Sequence, residues 1–308
     1  VVVALSGALS AVFVVSANAW MNTPAGFDRA GGRLVHIDPV AAMLNPAAGP
    51  EALHMVLAAY AAVGFAVAGI HAGALLRRPG HRFHRAALAI ALLVGGPAAV
   101  LEPLAGDLVS EMVAARQPVK LAAMEGQFKT EAGAPLRIGG LPDPATGTTR
   151  GAIEIPFGLS LLAYHDPHAV VRGLDAVPPS DRPNVVLVHL AFQLMVGCGT
   201  LLAALAVAAG VTAWRQRGVP DRRWLLRCLV AAAPLGIIAL ESGWSVTELG
   251  RQPWIIQGVM RTADAVTPMP GLTTPFATIT AVYLALGAIV VYLLRRHVLQ
   301  TVEGDAAA

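Results

Sequence analysis

Six stretches of about 20 residues, almost free of charge, narrow the folds open to this chain to one class. A helix rising 1.5 Å per residue needs about 20 residues to cross roughly 30 Å of hydrocarbon, and in lipid the backbone must satisfy its own hydrogen bonds. The expected fold is therefore all-α: a polytopic transmembrane helix bundle, one membrane domain over residues 1–308. Its spans fall at about 1–20, 51–76, 86–103, 185–214, 224–247 and 274–294. The third is short and carries Gly95-Gly96-Pro97, and the fifth contains Arg227 and Glu241. With 56% hydrophobic and 13% charged residues, the chain is too apolar for disorder. Cys198 and Cys228 lie in apolar runs and read as buried thiols rather than a disulfide or metal cluster. The opening Val1-Val2-Val3 lacks the basic region of a signal peptide, and the true N-terminus is expected upstream.

The formal charge of +3 comes from basic clusters beside the apolar runs, a pattern of membrane orientation and not of nucleic-acid binding. Arg77, Arg78, Arg82 and Arg85 join the second span to the third, and Arg215, Arg217, Arg222 and Arg223 join the fourth to the fifth. The positive-inside rule makes both junctions cytoplasmic, and Arg295 and Arg296 put the C-terminus on the same side. Residues 21–50, 104–184 and 248–270 then face outward. The middle segment is too long for a simple connection and is a candidate functional loop. Loop lengths in the two halves do not match, which argues against the inverted repeats of a secondary transporter. Residues 302–308 read as a short solvated tail.

An ionisable group inside the bilayer is costly unless paired or ligated. His54 lies about three residues into the second span and Met195 about ten residues into the fourth. Glu241 lies about six residues from the outer end of the fifth span, and Glu248 sits at that end. All four belong to the outer half of the membrane. The two glutamates are close to two turns apart and share a face if the helix continues that far. Taken singly, His54 reads as interfacial, Met195 as core filler and Glu248 as a solvated charge. Glu241, at its depth, must be protonated, bonded or ligated. His71 and His189 have no sequence context that raises them. A His and a Met on different helices at one depth can supply the two axial ligands of a low-spin haem. No Cys-x-x-Cys-His is present, so such a haem would be held by ligation and packing. A haem-free, proton-coupled transporter using Glu241 stays open at this level.

The run Gly243-Trp244-Ser245-Val246-Thr247-Glu248-Leu249-Gly250-Arg251-Gln252-Pro253-Trp254 resembles the signature of subunit I of cytochrome bd quinol oxidase: Gly-Trp, three residues, Glu, one residue, then Gly-Arg-Gln-Pro-Trp. Ala17-Asn18-Ala19-Trp20-Met21-Asn22-Thr23-Pro24 is similar to the family's Ala-Asn-Gly-Trp-Met-Gln-Asn-Pro, with Ala19 in place of Gly. His54 follows Asn45-Pro46 as the family's haem-ligand His does, and Phe192-Gln193-Leu194-Met195-Val196-Gly197 resembles its ligand-Met segment. Lys120-Leu121-Ala122-Ala123-Met124-Glu125 is similar to the quinol-loop motif. Ala152-Ile153-Glu154-Ile155-Pro156-Phe157 also resembles that loop, and its short continuation to Pro183 suggests the short-loop type. The family's subunit has nine helices and this chain aligns with the last six, so the resemblance implies three helices upstream.

By resemblance the chain is a multi-pass subunit of a quinol oxidase in the bacterial cytoplasmic membrane, generating a proton gradient. His54 and Met195 would be the axial ligands of a low-spin haem b. Glu248 would be the ligand of a high-spin haem b, beside haem d, in a di-haem oxygen-reducing site partly outside this chain. Lys120 and Glu125 would oxidise ubiquinol or menaquinol, the cation orienting a quinol oxygen and the carboxylate accepting its proton. On a helix that pair would face different directions. Arg251, Trp254, Gln193 and Glu241 would line the cofactors, with Gln193 standing where some members carry Arg near the haem propionates. The implied partners are molecular oxygen, subunit II, a small single-helix subunit and the lipid bilayer. The small residues from Ala203 to Gly210 offer a helix-packing face. A haem-b quinol oxidoreductase with another electron acceptor is the nearest alternative.

Overall fold

The computed structural model describes residues 2–296, so the expected tail at 302–308 lies outside the described residues. The helices are α1 (Val2–Asn22), α2 (Pro39–Met43), α3 (Ala48–Arg77), α4 (Arg82–Arg116), α5 (Pro118–Met124), α6 (Gly158–Tyr164), α7 (Val185–Gln216), α8 (Arg223–Ala232), α9 (Leu235–Arg251) and α10 (Thr273–Leu294). Helices stand at all six expected places. Five segments among the described residues are long and apolar enough to cross a membrane: Ala48–Arg77, Arg82–Arg116, Pro179–Gln216, Arg223–Arg251 and Thr273–Leu294. α1 occupies the remaining place and carries no charged residue.

Three expectations are corrected. The third span does not end at Pro103: α4 passes through Pro97 and Pro103 and continues to Arg116. An interior proline removes one hydrogen bond and crowds the preceding turn, but a packed membrane bundle tolerates it because neighbours satisfy the freed carbonyl. The stretch that leaves α4 therefore starts at Gln117. The fifth span is two helices, α8 and α9, broken at Ala233-Pro234, and α9 reaches Arg251. Glu241 and Glu248 thus lie on one continuous helix. Cys198 is buried as expected, but Cys228 is exposed on α8.

α3, α4, α7 and α9 form a ring in which α3 and α7 occupy opposite corners, each packing on both α4 and α9. Small residues bring the backbones together. A Cβ on Gly64 of α3 would lie 2.5 Å from the Gly95 Cα of α4, and a Cβ on Gly236 would lie 2.4 Å from the Ala62 Cα. Association in lipid depends on such close packing. Replacing Gly64 with Val is expected to force α3 from α4 and cost about 3 kcal/mol, near the top of the overpacking range; the check is the thermal unfolding midpoint in detergent. Phe65, Leu88, Leu225 and Leu229, all fully buried, fill the same layer.

The two arginine-rich junctions share one end of the bundle, where Arg85 of α4 pairs with Asp221 at 3.2 Å. At the opposite end lies the segment from Gln117 to Asn184, a small lobe over a second core of Leu121, Leu159, Val171, Leu174 and Val188. Its strands are β3 (Glu131–Ala132), β4 (Leu136–Ile138), β5 (Leu141–Asp143), β6 (Thr148–Arg150), β7 (Ile153–Ile155) and β8 (Val170–Val171). They pair antiparallel as β3–β8, β4–β7 and β5–β6, so the last hairpin nests inside the others. Two further pairs are β1 (Asp28–Ala30) with β2 (Arg33–Val35), and β9 (Trp254–Ile256) with β10 (Met260–Arg261). The described residues from 265 onward belong to a separate compact unit containing α10, whose residues are exposed along its length.

Candidate functional site

His54 on α3 and Met195 on α7 stand on the two helices at opposite corners of the ring. Glycines flank both. A Cβ on Gly106 would lie 3.7 Å from the His54 Cε1, and one on Gly243 would lie 2.9 Å from the Met195 sulfur. The His54 Nδ1 is 3.1 Å from Glu102 Oε1 of α4, but among the described residues neither His54 Nδ1 nor the buried Glu102 Oε2 has a hydrogen-bond partner. A carboxylate hydrogen-bonded to a histidine is the usual support for a metal-ligating imidazole, and here the two groups stand close without that bond. Sequence reasoning missed Glu102 by treating the neighbouring Pro103 as a helix end. Its charge within an apolar run was the signal.

Glu248 is expected in a second site and lies in the last turn of α9. Its Oε1 accepts a hydrogen bond from the Asn18 amide of α1 at 2.6 Å, and its Oε2 accepts one from Arg251 Nη2 at 2.6 Å. Arg251 is almost fully buried, yet its Nε and Nη1 have no partner among the described residues. Lys120 is buried against the same group: its Nζ lies 3.5 Å from Asn22 Oδ1, and a Cβ on Gly250 would meet its side chain at 2.9 Å. Burial lowers the Lys120 ammonium to about 8, against the attraction of Glu51 and Glu248, with Arg251 adding to the lowering. Glu51, Asn18 and Asn22 complete a polar cluster that sequence reasoning did not assemble, because its members come from four segments. Glu241 is exposed on α9, and its carboxylate makes no ion pair or hydrogen bond among the described residues. Trp254 lies in β9 with the Arg261 guanidinium 4.6 Å from its ring centroid, and Arg261 also pairs with Asp181 at 2.6 Å.

Glu125 caps the C-terminus of α5 and is buried, with Oε2 unpartnered among the described residues. Burial raises its carboxyl to about 8, opposed by the charge of Arg137. Lys120 and Glu125 are therefore not a solvated helix face; they look to different groups, as their spacing predicts. α5 packs directly on α7 and α9, the helices of Met195 and Glu248. Gln193 is spent on the loop: its Nε2 donates to the Arg137 carbonyl at 3.0 Å and its Oε1 accepts from the Gly139 N–H at 2.9 Å. His189 is fully buried one turn earlier on α7. His71 meets His84 at the arginine-rich end, with Nδ1 atoms 3.0 Å apart.

A multi-pass bundle that gathers a His, a Met and a Glu beside a buried Arg and Lys near one end has the donor set of a haem-binding membrane subunit. A family model described as cytochrome bd terminal oxidase subunit I matches residues 1–302, and the chain belongs to that family. It is 40% identical over 305 residues to a Bacillus subtilis (strain 168) protein named "Putative cytochrome bd menaquinol oxidase subunit I", covering 96% of this chain and 68% of the relative. A second protein of that organism, cytochrome bd ubiquinol oxidase subunit 1, is 30% identical over 311 residues, covering 96% of this chain and 66% of the relative. Among solved structures, the bd oxidase from Geobacillus thermodenitrificans superposes with a TM-score of 0.84 at 36% identity, covering 96% of this chain and 69% of that one. The chain thus spans about two thirds of the length of these relatives, within a family of terminal quinol oxidases that implies a membrane location, haem cofactors, quinol, oxygen and a partner subunit.

Proposed function

We propose that this chain oxidises quinol at Lys120 and Glu125 on the outer side of the membrane and carries the haem-binding residues of the oxidase. The observation that carries this reading is the packing of α5, with both residues buried, directly on the helices of Met195 and Glu248. The residues present fit haem. His54 and Met195 face a ring with glycines beside each ligand, and the unpartnered Nε and Nη1 of Arg251 are donors suited to a propionate. His54 and Met195 would hold a low-spin haem b and Glu248 a high-spin haem b, with haem d beside it. When bound, these groups supply one-electron transfer and oxygen reduction.

The chain's own residues handle the protons. Quinol oxidation releases two electrons and two protons; the Glu125 carboxylate takes a proton from a quinol hydroxyl and returns it to the outer side. Lys120 has three donors, of which Asn22 takes one, leaving others for a quinol oxygen. The arginine-rich end and the C-terminus are then cytoplasmic. Subunit II and a small single-helix subunit complete the assembly. Trp254, beneath the Arg261 guanidinium, would line the cofactor site, and Glu241 on the exposed face of α9 would serve a neighbouring haem or helix.

The deciding experiment is a reduced-minus-oxidised visible spectrum of membranes carrying the complete gene and its partner subunit. A low-spin b-type signal with a red haem d band is expected. Folded, inserted protein without any haem signal would sink the reading in favour of a haem-free transporter, and a b-type signal without haem d would favour a quinol oxidoreductase using another acceptor. The pH profile is a second check. Glu125 must lose its proton to act as base, so turnover rises with pH toward about 8. Lys120 must keep its proton, so turnover falls above about 8. The expected profile is a narrow bell near 8. Lys120→Arg should push the falling limb to higher pH, as guanidinium stays charged; a flat profile in the wild type would refute both assignments.

A further inference from the structure

We propose that His189 and Gln193 are positioning residues of the quinol site, which lock the loop carrying Glu125 onto the helix carrying Met195. This rests on the reading of Lys120 and Glu125 as the quinol segment. The two residues are four apart on α7 and so share a face, and Met195 follows two positions later. The ring of His189 puts Nδ1 2.8 Å from the Met124 carbonyl and Nε2 3.1 Å from the Gly139 carbonyl, and a neutral ring donates to one of the two. Gln193 reads the same stretch through both ends of its amide, at the Arg137 carbonyl and the Gly139 N–H. One helix face thereby makes four contacts to loop backbone, one of them at the residue immediately before Glu125.

The local structure explains why such a lock is needed. Strands of two or three residues in two-stranded pairs are marginal on their own. Gly139 and Gly140, with φ of +68° and +89°, turn the chain between β4 and β5 so that the Gly139 N–H and carbonyl are both offered to α7. The Met124 carbonyl is buried, and such a group left without its partner costs about 1–3 kcal/mol. The lock also reaches Glu125 by a second route. Arg137, whose carbonyl Gln193 holds, extends its guanidinium to Gln127 and to Glu154 at 2.9 Å, and its charge bears on Glu125. The Gln127 amide in turn donates to the Lys129 carbonyl and Glu131, each at 2.7 Å. Moving residues 137–139 off α7 would therefore shift the surroundings of Glu125 while leaving His54 and Met195 in place.

The test uses the complete oxidase complex as wild type, His189→Ala, Gln193→Leu and Glu125→Gln. The first two substitutions are expected to raise quinol KM about tenfold or more, by misplacing the reacting group, with kcat changed far less. The low-spin haem band should remain, and trypsin should cut faster between Lys129 and Arg150. Unchanged KM and cleavage in both variants overturn the proposal. Loss of the haem band in both also overturns it, because the pair would then serve the haem pocket. If Glu125→Gln leaves turnover unchanged while His189→Ala still exposes the loop, the quinol reading fails and the lock stands.

Discussion

Met195→Leu in the complete oxidase is expected to remove the low-spin b-type signal and, with it, quinol-driven oxygen consumption, while the protein still inserts and folds. A Met-to-Leu exchange conserves volume and costs under about 1.5 kcal/mol where it only packs. What it removes is the thioether donor, the property that distinguishes a ligand from core filler. The surroundings favour a clean outcome. Met195 is only partly buried, and its sulfur lies where a Cβ on Gly243 would come within 2.9 Å, so leucine meets a glycine where the thioether sits. His54→Ala should produce the same spectral loss, with some additional instability because Glu102 loses its neighbour at 3.1 Å. A reduced-minus-oxidised spectrum beside an immunoblot of the membrane fraction separates loss of haem from loss of protein. A full low-spin signal in Met195→Leu would remove Met195 from the ligand set.

Glu125→Gln should lower quinol turnover by about 10²–10⁴-fold, the range spanned by general-base catalysis, with both haem signals retained. The substitution isolates the chemistry because of the group's own state. Burial holds the carboxyl near 8, so at pH 7 about nine-tenths of it is already protonated, and glutamine copies that neutral form in shape and polarity. The variant should therefore keep the loop folded and lose only the fraction that accepts protons. The rising limb of the pH profile should disappear with it. Steady-state oxygen uptake with a soluble quinol analogue measures both effects. Turnover within threefold of wild type would move proton acceptance to another group.

How much of this was legible before the fold was known differs by element. The six spans followed from length and apolarity, and helices stand at all of them, since a backbone in lipid has few other solutions. The third span failed at its end because Pro103 reads as a breaker in isolation, whereas in α4 the helix runs past it to Arg116. The same misreading hid Glu102. Gln193 was expected beside the haem propionates, but its amide is engaged with the loop backbone instead, a choice made by where residues 137–139 come to lie. His189 had no sequence context at all, and its importance comes from two carbonyls at sequence separations of 65 and 50 residues. The spacing of Lys120 and Glu125 correctly separated their directions, yet nothing in a Lys-x₄-Glu run announces that both are buried.

By itself the sequence determined that the chain is a helical membrane bundle, which residues could bind haem or quinol, and through its Gly-Arg-Gln-Pro-Trp run the family to which it belongs. These are local properties, set by hydropathy over a turn or two and by the chemistry of single side chains. The tertiary structure alone decided which of those residues meet. Asn18, Glu51, Lys120, Glu248 and Arg251 form one polar cluster although they are spread over more than two hundred positions, because Gly250 leaves room for the Lys120 side chain against α9 and Arg251 folds back on Glu248. Pairing of buried charges depends on distances of a few ångström across helices, and those distances are set by glycine contacts and loop closure that no short run of residues encodes.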